Sequence, residues 1–465
     1  MNAIPNNIGL EAKAPLARQL GAYQQQFRRW WALRGPGEFL DQPMQLRQPT
    51  GQVQGNGWAE YRTMTPNQYC WGLFTAPTGQ DTIAFGQHRG APLWESVPAE
   101  YRVLLLEHIR VQGDVENAAI EQSRTLTGSV PSQLELNNLF QFYLEEGRHT
   151  WAMVHLLIEY FGHDGTVEAE ALLERVSGDA HQPRLLDAFN LQTDDWLSHF
   201  MWCFLADRVG KYQIQAVTQC AFAPLARSAK FMMFEEPLHI GFGAAGLERI
   251  LCRSAEATLR ADSHDIFDAG AIPLPLFQKY LNFWVSRIFD LFGNDSSRRA
   301  HDLYQGGIRI ARHFDDYQHM PVTLDVRAGA GVRQEEVAPE WAMNAIMRRQ
   351  YMAEVAKLIE RWNVQLARLE TGIALYLPHE RFNRVFGPCK GLLYDVDGSA
   401  LGPDAAAQVG ARLPTAAELA RVQALMRREL RPERFASWIA PAGATLTALA
   451  DAFIAEHSPK CGPRA

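Results

Sequence analysis

Two copies of one short pattern, each set in an apolar run, constrain this 465-residue chain more than anything else in it: "LEEGRH" at 144–149 and "FEEPLH" at 234–239. Each contains Glu-x-x-His, pairing Glu146 with His149 and Glu236 with His239. Residues three apart on a helix share a face, so each pair aims a carboxylate and an imidazole in one direction. That direction is apolar: Leu139, Phe142 and Met153 flank Glu146, and Phe-Met-Met-Phe stands just ahead of Glu235 and Glu236. An ionised carboxylate in such surroundings costs several kcal/mol unless something compensates it.

The spacing of two further acids suggests what does. Glu116 stands thirty residues before Glu146, and Asp207 twenty-nine before Glu236. Helical periodicity runs through 98–126, 134–162, 193–217 and 225–251, with turn residues at 127–133 and 219–224. A polar crossover ("GHDGT", "SGDAHQPR") separates the second run from the third, whose N-cap suits Thr193 or Asp194. At a rise of about 1.5 Å per residue, a chain that leaves the height of the first acid and turns returns to that height at the Glu-x-x-His. Two such hairpins predict a mostly α, ferritin-like antiparallel four-helix bundle around a dinuclear metal site. Its inward ligands would be Glu116, Glu146, His149, Asp207, Glu236 and His239. Asp194 and Asp195 share the third helix but miss the spacing. Four carboxylates balance two divalent ions, and hard oxygen donors with two imidazoles favour iron or manganese. Pro237 should distort the helix beside a ligand.

The rest of the chain is organised around this core. Residues 1–97 are rich in Trp, Gly, Pro and Gln and predict an N-terminal layer of loops with short helices or strands. Residues 98–320 hold the bundle and a further amphipathic helix at 274–293. Residues 321–465 form a mixed extension, with strand-like "VTLDV" and a helix near 340–370. With 24 Phe, 12 Trp and 13 Tyr, a large core is within reach. The formal charge of −7 points to neither nucleic acid nor membrane, and no leader-like or 18-residue apolar run is present. Six scattered cysteines without a C-x-x-C pair argue against an iron–sulfur cluster in this chain, and no flavin is expected; they suit a reducing cytoplasm, with electrons supplied by another protein.

Other motifs are weaker. "GFGAAG" (241–246) matches G-x-G-x-x-G but continues a helix, which favours close helix packing over a dinucleotide site. Gln112, one turn before Glu116, could lie behind the ligands or near the dioxygen side, while His155 and His199 suit core positions. Arg298, Arg299, Arg309 and Arg312 are candidates for holding substrate phosphates.

At "NNLFQFYLEEGRHTWAMVHLL", "FMMFEEPLH" and "ARHFDD" the sequence resembles the oxygenase component of benzoyl-CoA 2,3-epoxidase. The likeness runs from "IPNN" through "RRWWALRGPGEF", "RWNVQLARLE" and "ERFNRVFGP" to "FASWIAP". It implies a non-haem di-iron monooxygenase of aerobic benzoate degradation. Such an enzyme epoxidises the ring of benzoyl-CoA with O2 and with NADPH-derived electrons from a separate flavin and iron–sulfur reductase. It also implies the same six ligands that the spacing selects. One departure stands out: the family's Glu-Glu-Ala-His-His is here Glu235-Glu236-Pro237-Leu238-His239. Another aroyl-CoA, or an amine in a biosynthetic pathway, is therefore the alternative substrate.

Overall fold

Apolar faces too wide for one partner drive these helices into a bundle with further helices packed on it. The computed structural model describes residues 4–53, 57–261, 265–402, 404–427 and 436–457; Cys461 lies outside them. Helix α1 (Pro15–Arg34) and a hairpin of β1 (Met44–Pro49) and β2 (Ala59–Met64) come first. The centre is α2 (Arg102–Ser123), α3 (Gln133–Glu174), α4 (Trp196–Gln215) and α6 (Glu236–Ala261), with α5 (Ala223–Met232) leading into α6. Outside it lie α7 (Leu274–Phe289), α8 (Arg298–Gln305), the hairpin β3 (Val322–Ala328)–β4 (Gly331–Val337) and α9 (Met343–Arg368). Three shorter helices end the described chain: α10 (Ala405–Ala411), α11 (Ala416–Met426) and α12 (Leu446–His457). The fold is a mostly helical bundle, and no described helix is long and apolar enough to cross a membrane.

Helices α2 and α3 run antiparallel: Tyr143 donates to the Ser123 carbonyl, Thr150 to Asn117 and Arg102 to the Phe161 carbonyl. At Gly162 the backbone turns to φ 59°, ψ −130°, a conformation open to glycine, and the chain reverses. The expected crossover thus begins where "GHDGT" places it, but it starts as helix. Residues 163–174 run back along α2, where Arg110 meets Glu168 and Asn117 bonds the Leu172 carbonyl.

Three other boundaries depart from expectation. Helix α4 is capped by Asp195, whose side chain accepts from Ser198 N, while Thr193 instead bonds the Gln122 carbonyl. The run 225–251 is two helices. Tight turns, Phe234 N to Phe231 O and Glu235 N to Met232 O, break it just before Glu236. Pro237 then falls in the first turn of α6, where its missing N–H removes no helix bond. The N-terminal layer, expected to hold only short elements, contains the 20-residue α1. Its Leu20, Tyr23, Phe27, Trp30 and Trp31 are buried, a helical stripe diluted in the sequence by the Gln and Arg of the outer face. That layer is anchored on α3, where Trp71 donates its indole N–H to the Leu144 carbonyl. A Cβ on Gly147 would lie 2.4 Å from that indole nitrogen, so the "EEGRH" glycine is what lets Trp71 lie against α3.

Helices α4 and α6 meet through the "GFGAAG" glycines. A Cβ on Gly243 would stand 2.4 Å from the backbone nitrogen of Phe204, and one on Gly246 would stand 2.4 Å from the Phe200 ring. Backbone cannot yield as a side-chain tip can. Gly243→Ala is therefore expected to destabilise the protein by about 1–3 kcal/mol, despite alanine's better helix propensity. The denaturation midpoint should fall; an unchanged or raised midpoint would contradict this packing.

Candidate metal centre

The bundle brings Glu116 from α2, Glu146 and His149 from α3, Asp207 from α4, and Glu236 and His239 from α6 to one buried region. Glu116, Glu146 and His149 form one close triad, and Glu146, Glu236 and His239 a second; in each, one ligand atom per residue lies within 4.8 Å of the others. Glu146 belongs to both. Its Oε2 is 3.8 Å from His149 Nδ1 and its Oε1 is 3.1 Å from His239 Nδ1. His149 Nδ1 also lies 3.4 Å from Glu116 and 3.6 Å from Glu236.

The outward nitrogens of both rings are held by the first glutamate of the opposite Glu-Glu pair. His149 Nε2 lies 3.0 Å from Glu235 Oε2, and His239 Nε2 lies 3.0 Å from Glu145 Oε2. Each of these carboxylates accepts the ring proton, which leaves Nδ1 as a lone pair facing the centre. Each is itself neutralised by arginine. Arg47, delivered by β1, donates Nε to Glu145 at 2.7 Å, and Arg148 donates Nη2 to Glu235 at 2.5 Å.

The second glutamates receive no such partner. Among the described residues, no Lys or Arg lies within ion-pair distance of Glu116, Glu146, Asp207 or Glu236. His149 Nδ1, His239 Nδ1 and Asp207 Oδ2 are buried without a hydrogen-bond partner. On its own charges the protein tolerates Glu146, Asp207 and Glu236 by keeping protons on them. Burial, then Glu116, drives Glu146 well above the usual carboxylate range. Burial raises Asp207 likewise, and burial pushes Glu236 up to about 8 against the opposing histidines. For Glu116 the upward push of burial is outweighed by its neighbours Glu146 and His149, which lower it. Glu235, although buried, is held at about 2 by Arg148 and His149. Orphaned nitrogens and oxygens of hard-donor type, with a surplus of uncompensated acid, fit a pair of divalent cations.

A cavity of about 370 Å³ opens against one side of this centre, bounded there by Glu116, Glu146, Asp207 and Glu236. Its walls are largely apolar and include Val115, Ala119, Trp202 and Ala206. Gln112 lines it and donates to Glu116. Of the four candidate arginines, Arg299 and Arg309 line this cavity. Arg298, with an 84% exposed side chain, and the exposed Arg312 stand outside its wall. His199 packs among Phe142, Trp196 and Phe242, and His155 against Tyr160, both as core rings. A smaller cavity of about 320 Å³ lies on the His239 side, with Pro237 and Leu238 in its wall.

The residues missed from sequence are Glu145, Glu235 and their arginines. The doubled glutamate of both motifs was the available signal; nothing local announces Arg47, 98 residues before Glu145.

The chain is 39% identical over 448 residues to the benzoyl-CoA oxygenase component B of Aromatoleum evansii, covering 94% of each chain. No protein-family profile matches it.

Proposed function

The chain belongs to the benzoyl-CoA oxygenase component B family, and from that premise we propose that it is a ferritin-like di-iron monooxygenase that epoxidises the 2,3 bond of the benzoyl-CoA ring. The observation that carries the reading is the set of four buried acids, with no Lys or Arg partner among the described residues, and two inward Nδ1 atoms at the end of an apolar cavity. Glu116, Glu146 and His149 would hold one ion and Glu146, Glu236 and His239 the other, with Asp207 completing the set. When bound, the metals supply reductive activation of dioxygen. One oxygen atom is added across the ring bond. The other leaves as water, taking up two electrons from NADPH, delivered through a separate flavin and iron–sulfur reductase, and two protons, one of them from solvent.

The chain's own residues do the rest. Glu145 and Glu235 fix ring tautomer and direction, so His239 and His149 present their lone pairs without rearrangement. Gln112 holds a Glu116 oxygen by donating to it. The walls around Trp202 and Ala206 exclude water and take the ring, which keeps the acids in a low-dielectric setting. The Pro237-Leu238 departure lies in the wall of the smaller cavity and not of the larger. This favours retaining the family's substrate over another aroyl-CoA.

Metal-loaded protein, incubated with reductase, NADPH, O2 and benzoyl-CoA, should give a thioester product one oxygen atom heavier, with one NADPH consumed per product. NADPH oxidation with no oxygenated thioester by mass spectrometry would overturn the substrate.

A further inference from the structure

Eight arginines are buried among the described residues, and seven of them pair with a carboxylate. Arg309 is the exception. It is 7% exposed and lines the larger cavity. Its Nη1 donates to Asn344 Oδ1 at 2.9 Å and its Nη2 to Gln213 Oε1 at 2.5 Å, both neutral amides, while its Nε–H has no acceptor. Asn344 is held in place by donating Nδ2 to the Asn294 carbonyl at 2.8 Å. Burial, with Arg299 adding, brings the Arg309 guanidinium down to about 10. A buried cation with an unmade hydrogen bond is costly, and a ligand that completes the bond removes much of that cost.

The helices give the distance from this group to the metal centre. Along α4 the cavity is lined by Asp207, Gly210 and Gln213, and along α2 by Glu116, Gln112 and His108. At about 1.5 Å per residue, Gln213 lies about 9 Å from Asp207 along the axis, and His108 lies about 12 Å from Glu116. Arg309 and Arg299 both act on His108, whose ring is driven to about 3 by burial and by these two charges. A ring seated against the carboxylates leaves its thioester, or the first amide beyond it, at this height. The coenzyme's phosphates would lie a whole pantetheine arm further out, toward Arg299, whose side chain is 43% exposed and pairs with Glu107.

Resting on the thioester reading above, we propose that Arg309 binds a carbonyl oxygen of the substrate's thioester arm, that of the thioester or of the first amide, and so sets how far the ring enters toward the metal centre. The test is calorimetric binding to the metal-loaded full-length protein and its Arg309→Met variant. The probes are toluene (ring alone), S-benzoyl-N-acetylcysteamine (ring, thioester and first amide) and benzoyl-CoA. The variant should bind both thioesters roughly 10- to 100-fold more weakly, by the same factor, and toluene within about twofold of wild type. S-benzyl-N-acetylcysteamine, which lacks the thioester carbonyl, then distinguishes the two oxygens. A penalty on this probe assigns the amide, and none assigns the thioester; either keeps the proposal.

A loss confined to benzoyl-CoA would make Arg309 a phosphate residue and overturn it. So would an equal loss for toluene, no loss at all, or wild-type protein that binds neither thioester. If wild type binds both thioesters but oxygenates neither, the epoxidase reading fails, while the Arg309 assignment is decided by the binding ratios alone.

Discussion

Glu146→Ala is expected to remove both metal ions at once, taking bound iron from two per chain to none, with the bundle still folded. No other side chain belongs to both triads, and its two oxygens face the two histidines separately. Losing it takes one charged ligand from each ion and the charge that balances both. The fold should survive because burial and Glu116 already push Glu146 well above the usual carboxylate range in the metal-free protein. Deleting it removes the acid on which the repulsion of Glu116, Glu236 and Asp207 falls. Glu235→Gln should behave differently. It touches His149 and not the centre, so affinity should fall roughly 10- to 100-fold without abolishing binding. Metal analysis after gel filtration, with circular dichroism as the folding control, separates these outcomes. Iron retained by Glu146→Ala would contradict a shared ligand.

The second large effect is a reversal of pH dependence between metal-free and metal-loaded protein. Glu146, Asp207 and Glu236 sit above the usual carboxylate range, and His149 sits above the usual histidine range because its carboxylate partners outweigh burial. Between the ordinary value and the raised one, such a group binds more protons folded than unfolded, so stability falls as pH rises. For Glu236 that window runs from the ordinary glutamate range to about 8. Glu235, held at about 2, contributes with the opposite sign, and its contribution is lost only as pH falls below the ordinary range. The metal-free protein should therefore be most stable in mild acid and weaken toward pH 8, by about 1.4 kcal/mol per pH unit for each proton of difference. Metal binding requires the ionised carboxylates and grows with pH. The gap in thermal midpoint between loaded and metal-free protein should widen from pH 6 to pH 8. A constant or narrowing gap would contradict uncompensated acids at the centre.

How much of this was legible depended on whether the signal was local. The Glu-x-x-His motifs and their thirty-residue partners are periodic features of single helices, so the placing of Glu116, Glu146, His149, Asp207, Glu236 and His239 in one region could be read from spacing. The break before Glu236 was anticipated only as a distortion, because Pro237 marks strain without saying whether it falls inside a helix or at its first turn. The crossover after Gly162 was visible, but not that the chain would reverse there and return as helix along α2. Helix α1 was obscured because Gln and Arg crowd its outer face. The pairing of Arg47 with Glu145 and the isolation of Arg309 depend on contacts between distant segments, and no local pattern records them.

The most direct measurement is anomalous diffraction from iron-loaded crystals, collected at the iron edge. Two peaks roughly 3–4 Å apart are expected, lying between His149 Nδ1 and His239 Nδ1 with Glu146 bridging them. A single peak, or density anywhere but between those two nitrogens, would contradict the dinuclear centre.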